Sequence, residues 1–341
     1  MKKSEHGKVW RLAGPIILSN ISVPLLGIVD TAVMGHLDQA YYIGAVAVGA
    51  MIFSYVYWGF GFLRMGTTGL VAQAFGARDK DEIRAILGRA LLLAVVLAVV
   101  IFALQWVLID GAMWFIEASA KVEELARSYF QIRIYAAPAA LANYAVLGWL
   151  LGLQRAKSAL MLQVFMNGLN IVLDVTFVMV LGWGVEGVAL ATAISEYAAA
   201  GLGLLLALRA LRVMGGNWSR ALLLDPARLR RLLSVNGDIF VRTLCLVTAF
   251  AYFTSQGAAM GDTLLAANAI LMNFQLFLGY ALDGFAFAAE ALIGAAIGAK
   301  NRQQLIDAVK ATTIWAAISA GVFMLVYWLA STVIIAAITD I

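Results

Sequence analysis

The sequence GARDKDEI at residues 76–83 returns as GAKNRQQL at residues 298–305. Each copy follows a long apolar stretch and opens Gly-Ala-basic. The same offset, 222 residues from 76 to 298, sets Gly35 on Gly257, Ala45 on Ala267, Ala47 on Ala269 and Leu70 on Leu292. Small residues coincide by chance in apolar helices. A Gly-Ala-basic loop at the same place in the order of apolar stretches does so far less often. An internal repeat decides the architecture before any motif is weighed.

The composition says what kind of chain repeats. It is 63% hydrophobic and 13% charged, with a mean hydropathy of +0.90. A soluble domain averages about 45–50% apolar and about 25% charged residues. The chain therefore reads as an all-α polytopic membrane protein. The pI of 9.2 does not indicate a nucleic-acid partner, because the basic residues gather in particular loops as membrane topology requires. The lone Cys245 excludes an internal disulfide and reads as a packing residue. His6 and His36 are too few and too far apart for a metal site. No cleavable leader is evident.

A helix needs about 20 apolar residues to cross the hydrocarbon core. Nine stretches qualify, from 10–33 to 308–338, and the second and eighth (43–74 and 265–297) exceed that length. Most of the 24 lysines and arginines fall before span 1 and between spans 2–3, 4–5, 6–7 and 8–9. The opposite side carries Lys121, Arg127 and Arg133 among Asp110, Glu117, Glu123 and Glu124. The positive side is cytoplasmic, which places the N-terminus in the cytoplasm. Six spans separate the copies, so both halves face the same way. Parallel repeats about an axis along the membrane normal are a transporter architecture. Residues 1–231 form a first lobe of spans 1–6, and 232–341 a second lobe of spans 7–9. At this offset residue 341 corresponds to residue 119, so about three spans of the second lobe are expected to be missing, and the sequence reads as a truncated copy of a twelve-span protein.

Polar residues inside spans carry the functional signal, because a charge at a helix centre costs about 2.5–3.5 kcal/mol on insertion scales. Asp30 lies in span 1 beside Pro15 and Pro24, each of which removes a backbone donor and favours a bend. Span 5 reads FMNGLNIVLDVTFVM, 165–179, where Asn167, Asn170 and Asp174 share one face. That stripe lines a cavity or glues helices. Span 6 adds Thr192 and Glu196. Asp283 and Glu290 in span 8 share a face, and either line a cavity or pair with Arg64 and Arg242. There is no Walker loop and no nucleophile–base pair, so the chain is not read as an enzyme.

Five stretches carry a family resemblance: WRLAGPIILSNISVPLLGIVDTAVMGHL (10–37), FLRMGTTGLVAQAFGARD (62–79), LGWLLGLQRAKSALML (147–162), NIVLDVTFVM (170–179) and YALDGFAFAAEALIGAAIGAK (280–300). Together they resemble the multidrug and toxic compound extrusion (MATE) transporters, specifically the bacterial DinF subgroup. The resemblance implies two helical lobes of the MATE/MOP type and efflux by alternating access. It also implies coupling to H⁺ or Na⁺, with no other cofactor. Its coupling site, an Asp in span 1, an Asn and Asp in span 5 and a Thr in span 6, falls on Asp30, Asn170, Asp174 and Thr192. The same oxygens could ligate Na⁺. The family's bending proline falls on Pro15. In NorM-type members an acidic cation ligand sits in span 7, where this chain carries Arg242 instead.

The expectation is cation-coupled antiport, H⁺ favoured, of organic compounds, cationic or lipophilic. The setting is a bacterial inner membrane and the state a monomer; the partners are the bilayer and a small organic substrate, not nucleic acid. Protonation of Asp30 from outside would let span 1 bend and the drug leave. The alternatives are a flippase for lipid-linked precursors, which would want a more cationic cavity, a membrane enzyme acting on lipids, and a non-transporting fragment.

Overall fold

The computed structural model describes the backbone of residues 3–35, 39, 41–116, 118–260 and 262–338. Their side chains are described except at 3, 4, 23–25, 28, 30, 31, 258, 259, 262–267, 269, 270, 273 and 331–338. Among the described residues the chain is helical, without strands. α1 (Lys3–Gly35) precedes α2 (Tyr41–Gly59) and α3 (Phe62–Gly76), which a turn at Phe60 and Gly61 separates. α4 (Lys80–Ala103) and α5 (Gln105–Phe115) follow. α6 (Ala120–Arg133) and α7 (Ala137–Gly152) are joined by a 3-10 turn, Ile134–Ala136. α8 (Ala156–Asp174) runs into a π-helical turn, Val175–Val180, ahead of α9 (Gly184–Met214). The short α10 (Arg220–Leu223) leads to α11 (Pro226–Ala259), α12 (Asp262–Gly298) and α13 (Arg302–Ile338).

Among the described residues, eight helical segments are long and apolar enough to cross a membrane, with α2–α3 counted as one and α6–α7 as another. The ninth expected span falls in α1, part of whose side chains lie outside the described set. Val95, Val96 and Val99 of α4, and Leu325, Trp328 and Leu329 of α13, are exposed. Bare apolar faces of this kind suit lipid, not water. Cys245, expected to pack internally, is exposed on α11, because little of the described chain covers this stretch, where Leu244 and Leu246 are exposed too.

The repeat is visible bond by bond. At the end of α3, Ala77 N–H donates to the Gln73 carbonyl (2.9 Å) and Asp79 N–H to that of Ala74 (3.0 Å). At the end of α12, Ala299 N–H donates to Ala295 (2.9 Å) and Asn301 N–H to Ala296 (3.0 Å). The basic residue of each loop turns left-handed, Arg78 at φ 58° and Lys300 at φ 53°. Asp79 then accepts the Glu82 N–H (2.9 Å), and Asn301 that of Gln304 (3.0 Å). Short side-chain oxygens here satisfy the first orphan donors of the next helix. That requirement is why the loop chemistry recurs.

The two copies also meet each other. A β-carbon on Gly76 would overlap the Ala295 carbonyl group, 2.7 Å from its carbon. One on Gly298 would overlap the Gln73 carbonyl group, also 2.7 Å from its carbon. Gly76 is equivalent to Gly298 and Gln73 to Ala295, so each contact is the image of the other. Reciprocity of this kind is what a two-fold axis imposes. Gly294 extends the close approach: a β-carbon there would lie 2.6 Å from Ala72 Cβ. Small residues let membrane helices cross at backbone contact, and this crossing lies at the end that carries both repeat loops. Arg231, at the base of α11, donates to Gln73 Oε1 (2.8 Å) beside it.

Two apolar cores bracket the middle of the first lobe. One joins Val9, Ile83, Trp149 and Leu150 near the repeat loops, with Trp149 Nε1 donating to the Ile83 carbonyl (3.0 Å). The other joins Met34, Phe53, Leu63 and Phe130 at the opposite end. The expected lobe boundary at 231–232 falls within α11, and α12 packs on α1 and α3 across it.

Candidate functional site

A cavity of about 560 Å³ occupies the first lobe, walled by α1, α2, α3, α6–α7, α8 and α9 and closed by α12. A larger but more open groove of about 1140 Å³ runs along α5, α6 and α9. There Ser128 donates to Glu186 (2.8 Å), and none of the expected site residues is among the described residues that line it.

The α8 stripe faces the cavity side, and all three members are buried. Asn167 Nδ2 donates to Ser22 Oγ of α1 (2.8 Å), while Asn167 Oδ1 accepts from Gln163 (3.1 Å). Asn167 thus ties α8 to α1. Asn170 Nδ2 donates to Thr192 Oγ1 of α9 (3.3 Å), whose hydroxyl donates back to the Val188 carbonyl (3.0 Å). Asn170 Oδ1 is buried with no hydrogen-bond partner among the described residues. Asp174 is fully buried at the last position of α8, where the helix loosens into the π turn. Such turns cluster at functional sites. Of the expected coupling quartet the structure brings Asn170 and Thr192 into contact and buries Asp174 on the same helix face. The side chains of Asp30 and Pro24 lie outside the described residues. Pro15 sits half-buried within α1.

Glu196 lines the cavity opposite Arg133, with Oε1 3.5 Å from Nη2. Arg133 also donates to Tyr129 OH (3.0 Å) and lies over the Phe53 ring at 4.9 Å. The Glu196 carbonyl accepts from Asn143 (3.0 Å). Arg133 corrects the sequence assignment, which placed it on the outer side. The 3-10 turn and Pro138 carry the chain straight on from α6 into α7, so Arg133 falls in mid-span. The available signal was its spacing from Tyr129, one turn back, and the apolar IYAAP that follows.

Arg64 lines the cavity, its guanidinium 4.1 Å from the centre of the Phe287 ring. Asp283, Glu290 and Arg242 are not among the described residues that line it. The two carboxylates instead sit in the fields of Arg64 and Arg242. The α12 face that meets the cavity is that of Tyr280 and Phe287.

A repeated, all-helical, multi-pass membrane fold with a polar cavity inside the first repeat defines a protein of the secondary-transporter class. The MatE family model matches residues 15–176 and 239–341, and this chain belongs to that family, in the DinF subgroup. It is 46% identical over 338 residues to the DNA damage-inducible protein F of Escherichia coli K12, covering 99% of this chain and 74% of that one. It is 26% identical over 300 residues to the human multidrug and toxin extrusion protein 1, covering 86% of this chain and 51% of that protein. A solved outward-facing multidrug resistance MATE transporter of the MOP superfamily superposes with a TM-score of 0.83 at 24% identity, over 96% of this chain and 73% of that one. A MATE complex with MaD3S gives 0.83 at 24% identity, over 98% and 76%.

Proposed function

We propose that this chain carries out cation-coupled efflux of amphipathic organic compounds by alternating access, with H⁺ as the coupling ion and Na⁺ as the alternative. The coupling group is Asp30, Asn170, Asp174 and Thr192. The single observation that carries the reading is the buried stripe of α8, joined to α9 through Asn170 and Thr192 and to α1 through Asn167 and Ser22.

The register supports the place of Asp30. α1 and α8 are spans 1 and 5, so they run in the same direction, and they pack together. Asp30 lies eight residues beyond Ser22 and Asp174 seven beyond Asn167. At about 1.5 Å per residue both backbones stand roughly 11–12 Å further along, at one depth. A proton or Na⁺ at that depth neutralises carboxylates that cost several kcal/mol to bury charged, and the occupied and empty sites then favour different packings of α1 on α8. The setting is a bacterial inner membrane with the N-terminus in the cytoplasm, and the working unit is a monomer.

The test is efflux of a fluorescent amphiphile from proteoliposomes under separate proton and sodium gradients. Proton-driven efflux lost in Asp30→Asn is the expected result. Efflux by sodium alone changes the ion and keeps the site. Wild-type, gradient-coupled efflux from Asp30→Asn removes Asp30 from the mechanism.

A further inference from the structure

The cavity asks for a charge on its cargo. Among the described residues that line it, three are formally charged: Arg64, Arg133 and Glu196. Glu196 and Arg133 face each other at 3.5 Å. Arg64 has no ion-pair partner among the described residues; it rests on Phe287 at 4.1 Å. Asp283 and Glu290 of α12 reach it through space only, and share their influence with Arg242. The cavity-facing side of the guanidinium keeps its donors.

The backbone adds to this. Span 2 breaks at Phe60 and Gly61, and α3 begins at Phe62, two residues before Arg64. The equivalent residues of the second repeat, Leu282 and Asp283, lie inside the unbroken α12. The break therefore belongs to the first repeat alone. The turn closes on itself, with Leu63 N–H donating to the Phe60 carbonyl (3.0 Å) and Arg64 N–H to that of Gly61 (3.2 Å), and it sets Arg64 in mid-span against the cavity. Tyr57, one turn before the break, is 7% exposed and lines the same cavity. Its hydroxyl has no hydrogen-bond partner among the described residues, so a further donor is unspent. Trp58, Leu147 and Tyr280 supply apolar and aromatic wall.

We propose that Arg64 and the Tyr57 hydroxyl form a recognition site for the anionic group of an amphipathic substrate, a carboxylate or phosphate on an apolar body. This rests on the efflux reading and names the class of compound it moves. The sequence favoured a cation because four in-span carboxylates faced only two in-span arginines. With Arg133 inside the cavity, and Asp283 and Glu290 absent from its described lining, that lining carries two arginines and one carboxylate.

The experiment uses the whole protein in phosphatidylcholine nanodiscs and two dansyl-dodecyl probes, one ending in a carboxylate and one in a trimethylammonium. Binding is read by tryptophan-to-dansyl energy transfer. The carboxylate probe is expected to bind at least about tenfold tighter, to weaken about tenfold or more in Arg64→Gln, and to be largely restored in Arg64→Lys, since a charge-assisted hydrogen bond is worth one to two decades. Arg242→Gln leaves it unchanged. Tighter binding of the trimethylammonium probe, or an unchanged carboxylate affinity in a folded Arg64→Gln, overturns the proposal. Displacement by dodecanoate points to a free amphiphile and displacement by farnesyl pyrophosphate to a lipid-linked phosphate; either supports the anion site. Proton-driven efflux of the trimethylammonium probe alone defeats this inference and leaves the antiporter standing. Carboxylate binding without efflux of either probe defeats the antiporter instead.

Discussion

Replacing Gly298 by alanine puts a methyl group into the α3–α12 crossing. The added carbon would sit 2.7 Å from the Gln73 carbonyl carbon, whereas ordinary contact begins at 3.4 Å. The obstacle is backbone, which cannot swing aside, and its carbonyl oxygen overlaps the added carbon more deeply still, so the helices must part by more than about 0.7 Å. Overpacking of this order costs about 1–3 kcal/mol. The cost falls only on the state in which α3 and α12 touch. The equilibrium between closed and open forms of this end then shifts about 5- to 150-fold towards open. A cavity cysteine reports it: Ser54→Cys in a Cys245→Ser background, labelled by an impermeant maleimide added on the side of the 76–83 loop. Gly298→Ala is expected to label faster by that factor. Gly76→Ala is expected to match it, because the two contacts are images of each other. The double variant is expected to fall short of the summed effect, since one parting of the helices relieves both contacts. Gly201→Ala, which meets nothing within 4 Å, is the control. Unchanged labelling in both folded single variants would refute the reasoning.

Two further expectations concern stability. Glu196→Leu leaves Arg133 buried without its carboxylate and is expected to cost about 3–5 kcal/mol, while pairing it with Arg133→Leu recovers most of the loss; thermal unfolding in detergent checks both. Arg84→Gln removes donors that Arg84 directs at the Leu211 (2.7 Å) and Gly215 (3.0 Å) carbonyls. Losing these charged bonds at the end of α9 is expected to cost about 1.5–3 kcal/mol and to expose the 215–219 stretch to proteolysis.

The repeat was legible because loop capping is local chemistry: Asp79 and Asn301 are cap residues in any context, and their spacing survives in the letters. The α8 stripe was legible for a similar reason, since residues three and four apart share a helix face whatever surrounds it. What a face meets is a tertiary matter. Asp283 and Glu290 are seven apart, but so are Tyr280 and Phe287, and packing on α1 and α3 turned the aromatic pair to the cavity. Arg133 was misread because its partner, Glu196, lies 63 residues away and a basic residue near four acidic ones resembles a loop. The break at Phe60 and the π turn after Asp174 leave hydropathy unchanged, so neither shows in an apolar run. Cys245 sits in an apolar stretch whose outer face is as apolar as its inner one.

The reciprocal crossing of Gly76 and Gly298 makes the two repeats resemble subunits more than segments. Each presents the same patch to the other, as the halves of a homodimer do, and the connection through residues 215–225 adds no part of that patch. Covalent continuity is then dispensable there: a chain severed in that stretch and expressed as two pieces has the means to reassemble. Seen as a dimer folded into one polypeptide, the molecule also separates its shared features from its private ones. The joint is common to both halves, while the break at Phe60 and Gly61 and the charge of Arg64 belong to the first, the second having an unbroken α12 and Ala286 there, so division of labour between duplicated halves is written in where the symmetry fails.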